Sequence, residues 1–134
     1  MVRRPTGLIQ EELTHSVIGA FFDVYNTLGY GFLEHVYGMA LERKLLARGH
    51  AVGREVSVNI AYKGVTLTSQ RLDFVVDEKL VVEAKSAQVL PAFAARQLYN
   101  YLRATNLAVG LLLHFGPEPK FYRLVSPSAL QNQP

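Results

Sequence analysis

An α/β domain, built as a mixed β-sheet flanked by helices in the order α-α-β-β-β-α-β-β, is the fold class that the sequence predicts. Three observations lead there. Just after Gly49 the spacing of apolar residues changes from a helical period to strict alternation. Two turn signals, Lys63-Gly64 and Asp77–Lys79, then divide the chain into three extended segments. Finally, one helical segment separates the third strand from a last pair, and a strand–helix–strand step implies a parallel crossover.

The first helix is expected over Ile9–Leu28, where Leu13, Val17, Ala20, Phe21, Val24 and Leu28 recur at helical spacing. Gly29 and Gly31 in "LGYGF" stop it and make a corner. A second helix runs from about Phe32 to Arg48, with Gly49 as the residue just past its end. "EVSVNIAY" alternates Val56, Val58, Ile60 and Tyr62 on one face. After the Lys63-Gly64 turn, "VTLTSQRLDFVV" returns as a strand with an irregularity near Ser69. "DEK" turns again into "LVVEAKS". A third helix spans Pro91–Arg103, with Pro91 suited to its first position. "NLAVGLLLHF" reads as a buried strand beside "LVVEAKS", and "KFYRLV" as the last strand. "SPSALQNQP", residues 126–134, reads as a frayed tail.

A chain of 134 residues, 49% hydrophobic and without an internal linker, is read as one domain with its core over about 8–125. Charged residues make up only 19%, which argues against general disorder. The absence of cysteine rules out a disulfide scaffold, a thiolate metal site and a cysteine nucleophile, and fits a cytoplasmic location. The longest apolar run is too short for a membrane helix, so no membrane partner is expected. A net charge of +3 permits contact with phosphates. Neither G-x-S-x-G nor a phosphate-binding G-x-x-x-x-G-K-[ST] loop occurs, and the four histidines lack metal-ligand spacing.

The chemistry concentrates in "LDFVVDEKLVVEAKS", Leu72–Ser86. If Asp77–Lys79 form a three-residue loop, Val76 faces Leu80, Phe74 faces Val82 and Asp73 faces Glu83. Opposed residues share a face, and Lys85 follows Glu83 on it. Leu72, Phe74, Val76, Leu80, Val82 and Ala84 then form the core face. Two carboxylates so close repel unless neutralised, and Lys85 or a divalent cation can do this. Hard carboxylate oxygens suit Mg²⁺ or Mn²⁺, with the lysine positioned to steady phosphate charge. Spacing alone equally allows a partly buried ion cluster with a structural role.

Asp73, followed across a turn by Glu83-Ala84-Lys85, resembles the core of the PD-(D/E)xK nuclease superfamily. "GFLEHVY", Gly31–Tyr37, is similar to the signature of the GxxExxY protein family, and the order of the remaining segments over about Leu13–Val125 resembles it too. The resemblance implies a restriction-endonuclease-like core and a Mg²⁺ site, with Mn²⁺ as a substitute. Asp73 and Glu83 would be ligands, helped by the Ala84 carbonyl and by Glu34 from an early helix, with Lys85 as the catalytic lysine. Gln97 matches a helix glutamine used by some superfamily members. The chain departs from the pattern at Leu72, where a proline is common, and at Tyr25 and Ala94, where relatives often carry histidine.

The implied activity is hydrolysis of nucleic-acid phosphodiesters, DNA somewhat favoured over RNA. The alternative is a catalytically inactive nuclease-like fold that binds nucleic acid or protein. A homodimer would supply two sites for the two strands of a duplex. Glu34 at a helix start could instead stabilise that helix end. Tyr37, on the same face, reads mainly as a packing residue. Gln97 and Tyr101 lie one turn apart, opposite an expected core face of Ala95, Leu98 and Leu102, and Gln97 could hold water or phosphate. Arg96, with Arg71 and Arg103, could steer a backbone or be plain surface.

Overall fold

The computed structural model describes residues 9–127 and contains the eight expected elements. The segment expected to fray lies, beyond Pro127, outside the described residues. Helices α1 (Glu11–Leu28) and α2 (Glu34–Ala47) precede strands β1 (Val52–Tyr62), β2 (Val65–Val76) and β3 (Leu80–Ser86). Helix α3 (Ala94–Thr105) crosses to β4 (Val109–Phe115), and β5 (Pro119–Val125) closes the sheet. The strands lie side by side in chain order, antiparallel throughout except for the parallel β3–β4 pair.

The parallel pair is the heart of the domain because a sheet covered on both faces needs apolar residues at every position. All seven residues of β4 are buried. Its Val109, Leu111, Leu113 and Phe115 pack with Val17, Phe21, Tyr37 and Leu41 from α1 and α2. On the opposite face Leu112 joins Ala94, Leu98, Tyr101 and Leu102 from α3. Gly110 admits that helix closely: a Cβ there would stand 2.9 Å from a Leu98 methyl.

Local chemistry explains most boundaries. Gly29 and Gly31 adopt φ of 75° and 109°, so the α1–α2 corner uses conformations that side chains disfavour. Helix α2 ends in a Schellman turn, with Gly49 N–H donating to the Leu46 carbonyl and His50 N–H to that of Leu45. Helix α3 starts three residues later than the sequence suggests. Pro91 belongs to a preceding turn, where its carbonyl accepts from the Ala94 N–H. β1 begins at Val52, earlier than its alternation shows, and the β1–β2 register slips opposite Leu67, two residues from the irregularity expected at Ser69.

Two expected faces need correction. Ala95 is exposed, whereas Ala94, Leu98, Tyr101 and Leu102 are buried, so Tyr101 joins the core instead of opposing it. That set follows the i, i+4, i+7, i+8 stripe of a helix starting at Ala94. Leu72 packs with the α3 face, while Phe74 and Val76 pack with α1 and α2. The cause is Glu55, held at φ 50°, where β1 and β2 pair at Arg54–Phe74 and Val56–Leu72 but not between. The ribbon turns over there, opposite Asp73.

Candidate active site

The turn that sets the register forms as expected, with Val76 opposite Leu80 and Phe74 opposite Val82. Asp77 and Glu78 take left-handed conformations and Lys79 N–H closes the loop on the Val76 carbonyl. Beyond Phe74–Val82 the backbone ladder stops, because β2 stays with β1 while β3 continues alongside β4. Such a fork strands polar backbone groups. Asp73 and Glu83 satisfy them reciprocally. The Asp73 N–H donates to Glu83 Oε2 at 2.7 Å, and the Ala84 N–H donates to Asp73 Oδ2 at 2.9 Å.

This crossed exchange brings the two carboxylates together in a poorly hydrated place. Glu83 is 4% exposed. Burial first, and then the charge of Asp73, push its carboxyl up to about 7. Burial also raises Asp73, against the Ala84 N–H and the charges of Lys85 and Arg54, which pull it down. Lys85 lowers both acids and sits half-buried on the next step of β3. Arg54, whose guanidinium lies 4.8 Å over the Phe74 ring, is tied to Glu42 and to the Gly38 carbonyl.

Glu34 arrives from the other side. Its Oε1 accepts from the Ser86 N–H at 3.2 Å, and its charge contributes to the rise of Glu83. No side chain caps α2, whose N-cap is Leu33, so Glu34 tethers the helix to the end of β3 instead of closing a capping box. Ser86 Oγ donates to the Phe32 carbonyl, which fastens the same corner. Tyr37 holds that corner from within: its hydroxyl donates to the Gly29 carbonyl, accepts from the Phe32 N–H, and its ring stacks on Phe115. A cavity of about 130 Å³ is lined by Glu34, Arg54, Glu55, Asp73 and Ala84 among others.

On the α3 face, Tyr101 is buried, and after desolvation the charges of Glu83 and Asp73 raise its phenol. Gln97 and Arg96 border a separate cleft that Tyr101 also lines. Arg71 and Arg103 are exposed. Arg54 and Glu55 have no part in the sequence expectations, and His114 is set aside there for want of metal-ligand spacing. Arg54 carried a signal, since it falls on the apolar phase of Val52, Val56 and Val58. His114 is buried beside Lys85 in the parallel register, and its Nε2 meets the Ala87 carbonyl at 2.7 Å. A carbonyl only accepts, so Nε2 carries the proton.

The donor set fits a hard divalent cation in part. Each acid spends one oxygen on the backbone exchange, while Asp73 Oδ1 and Glu83 Oε1 take no hydrogen bond among the described residues and are not sealed from solvent. Among the described residues no three Asp, Glu or His side chains form a ready-made metal cluster. Glu34 shares a cavity with Asp73 and Ala84, with its Oε1 bonded to the Ser86 N–H.

A five-stranded mixed sheet between two helices and one, with paired acids and a lysine at its fork, defines a restriction-endonuclease-like α/β fold. The family model described as the PD-(D/E)XK nuclease superfamily matches residues 11–124, and the chain belongs to that superfamily. A solved structure described as "Crystal structure of SSO0001" is similar over 93% of this chain and 69% of its own, with a TM-score of 0.55 and 20% identity, which speaks for the fold alone. No curated protein matches. No helix among the described residues is long and apolar enough to cross a membrane.

Proposed function

We propose that the protein is a Mg²⁺-dependent nuclease that hydrolyses phosphodiester bonds of nucleic acid, DNA in preference to RNA. The observation that carries this reading is the crossed exchange at the fork, which keeps two acids together at an energetic cost with Lys85 beside them. A carboxyl raised by burial and by a like-charged neighbour, beside a lysine, is the arrangement found at sites that accept a cation or a proton.

Asp73 and Glu83 would hold the cation, with the Ala84 carbonyl and Glu34 completing its protein ligands. Once bound, the ion supplies neutralising charge and Lewis-acid polarisation of the phosphate. Lys85 steadies negative charge that develops on the phosphate oxygens. Arg54 and His114 act as positioning groups, one beside Asp73 and one beside Lys85. Gln97 orders water or a phosphate oxygen at the α3 rim.

The GxxExxY subtype belongs to the same proposal. Gly31, Glu34 and Tyr37 work as one device that docks the α1–α2 corner on the end of β3 and so presents a third acid. A second reading, a binding module without activity, is favoured by one observation: among the described residues, Glu34 Oε1 is bonded to the Ser86 N–H and no ready-made metal cluster forms. Linear and nicked DNA incubated with Mg²⁺ separates the two. The nuclease cleaves, EDTA stops it, and Asp73→Ala and Glu83→Ala lose cleavage while keeping their fold. A Glu83→Ala protein that cuts as fast as the parent would overturn the mechanism.

A further inference from the structure

A second recess lies apart from the cavity that Asp73 lines. A cleft of about 350 Å³ runs between α3 and the outer part of the β1–β2 ribbon, a size in the range of small-molecule sites. Tyr101 connects it to the acids, lining the cleft with one part and feeling both carboxylate charges with its phenol.

We infer that this cleft is a subsite for an unpaired nucleobase, which makes single-stranded nucleic acid, or a frayed end, the substrate class of the neighbouring site. The inference rests on the nuclease reading for its connection to cleavage, but its chemistry is its own. Phe93 stands at the wall 65% exposed, an uncovered ring at the start of a helix. Bases stack on such rings regardless of sequence. Around it, Gln70, Gln97 and Asn100 each offer an amide that donates and accepts side by side, the pattern that pairs with a base edge. Arg96, 5.8 Å over the Tyr99 ring, adds a cation suited to the adjoining phosphate.

Electrostatics gives the approach a direction. No acid lines this cleft, whereas Glu34 and Glu55 line the cavity on the α2 side. A polyanion therefore meets the acids from the α3 side. A base within a continuous duplex is stacked above and below and cannot enter a recess without unstacking and breaking its pair.

Binding is read by fluorescence anisotropy in EDTA, with a short labelled oligothymidylate and a blunt duplex of equal length. The parent binds the single strand more tightly than the duplex. Phe93→Ala weakens the single-strand complex by about tenfold, the order expected for one lost stacking contact. Its melting temperature serves as the folding control, because Phe93 is largely exposed. An oligonucleotide containing 2-aminopurine gives a second readout, quenched by the parent and less so by Phe93→Ala. Equal or tighter duplex binding, or unchanged affinity in Phe93→Ala, overturns the inference. The absence of metal keeps the two proposals apart: a protein that binds the strand but never cuts it contradicts the nuclease reading and leaves this subsite standing.

Discussion

Asp73 and Asp77 lie four residues apart at the end of one strand, and the fold treats them in opposite ways. Asp73 is paired with another acid at the fork, and burial raises its pKa. Burial pushes Asp77 up as well, but a hydrogen bond from His50, the Ala51 N–H and the nearby charges outweigh it and hold the carboxyl below its ordinary value. His50 Nδ1 meets Asp77 Oδ2 at 2.7 Å, and His50 Nε2 meets Ser16 Oγ at 2.7 Å. This line ties α1, the end of α2 and the β2–β3 turn together. It has the order of a hydrolase triad, yet Ser16 sits inside α1, where the neighbouring N–H groups are committed to the helix and none is left for an oxyanion. The contrast is instructive: Asp77 is satisfied by neighbours and strengthens the fold, while Asp73 is satisfied only halfway and leaves an oxygen for something else.

The largest effect that could break this contrast is on activity. Asp73→Asn should lower cleavage by at least about a hundredfold, the scale of losing a metal's contribution, while Asp77→Asn leaves the rate per folded molecule unchanged. Steady-state cleavage, normalised to folded protein, checks both. Stability should run the other way. Asp77→Ala removes two hydrogen bonds to a charged group and should cost about 2 kcal/mol in urea unfolding. Without divalent cation at pH 8, Glu83→Gln should gain about 1–3 kcal/mol, since the amide oxygen still accepts the Asp73 N–H and the buried charge is gone.

The pH profile sharpens the comparison with a smaller effect. Asp77 has a folded-state pKa below its unfolded value of about 3.9, so its stabilisation is present above that value and is lost as pH falls through the folded pKa. Parent stability should therefore drop more steeply on acidification than that of Asp77→Asn. Smallest is Tyr37→Phe, which forfeits the bond to the Gly29 carbonyl for about 1 kcal/mol and loosens Glu34 from Ser86, seen as reduced amide protection at Ser86.

Element order, the parallel crossover and the three-residue turn were legible in the sequence because each rests on local periodicity or turn chemistry. The turn alone sufficed to place Phe74 opposite Val82; beyond that last pair, Asp73 meets β3 through side-chain hydrogen bonds and not through the ladder. The fork was not legible. Nothing in "RLDFVV" announces that pairing ends after Phe74, since it depends on β3 following β4 and on the left-handed Glu55 across the ribbon. The same twist moved Leu72 to the α3 face, against its alternation. Tyr101 was misplaced for a different reason: the expected stripe ran through Ala95, whereas the buried one runs through Ala94, Leu98 and Leu102, and Tyr101, three residues after Leu98, lies on it. His114 reaches its position through tertiary packing alone, whereas Arg54 stands on the apolar phase of Val52, Val56 and Val58.

The central claim is that the paired acids at the fork keep room for one divalent cation. Titrating Mn²⁺ into the cation-free protein by calorimetry tests it without any substrate. The account predicts saturable binding to the parent, absent in Glu83→Gln and retained in Asp77→Asn. A parent that takes up no Mn²⁺, or a Glu83→Gln variant that binds it equally well, would contradict it.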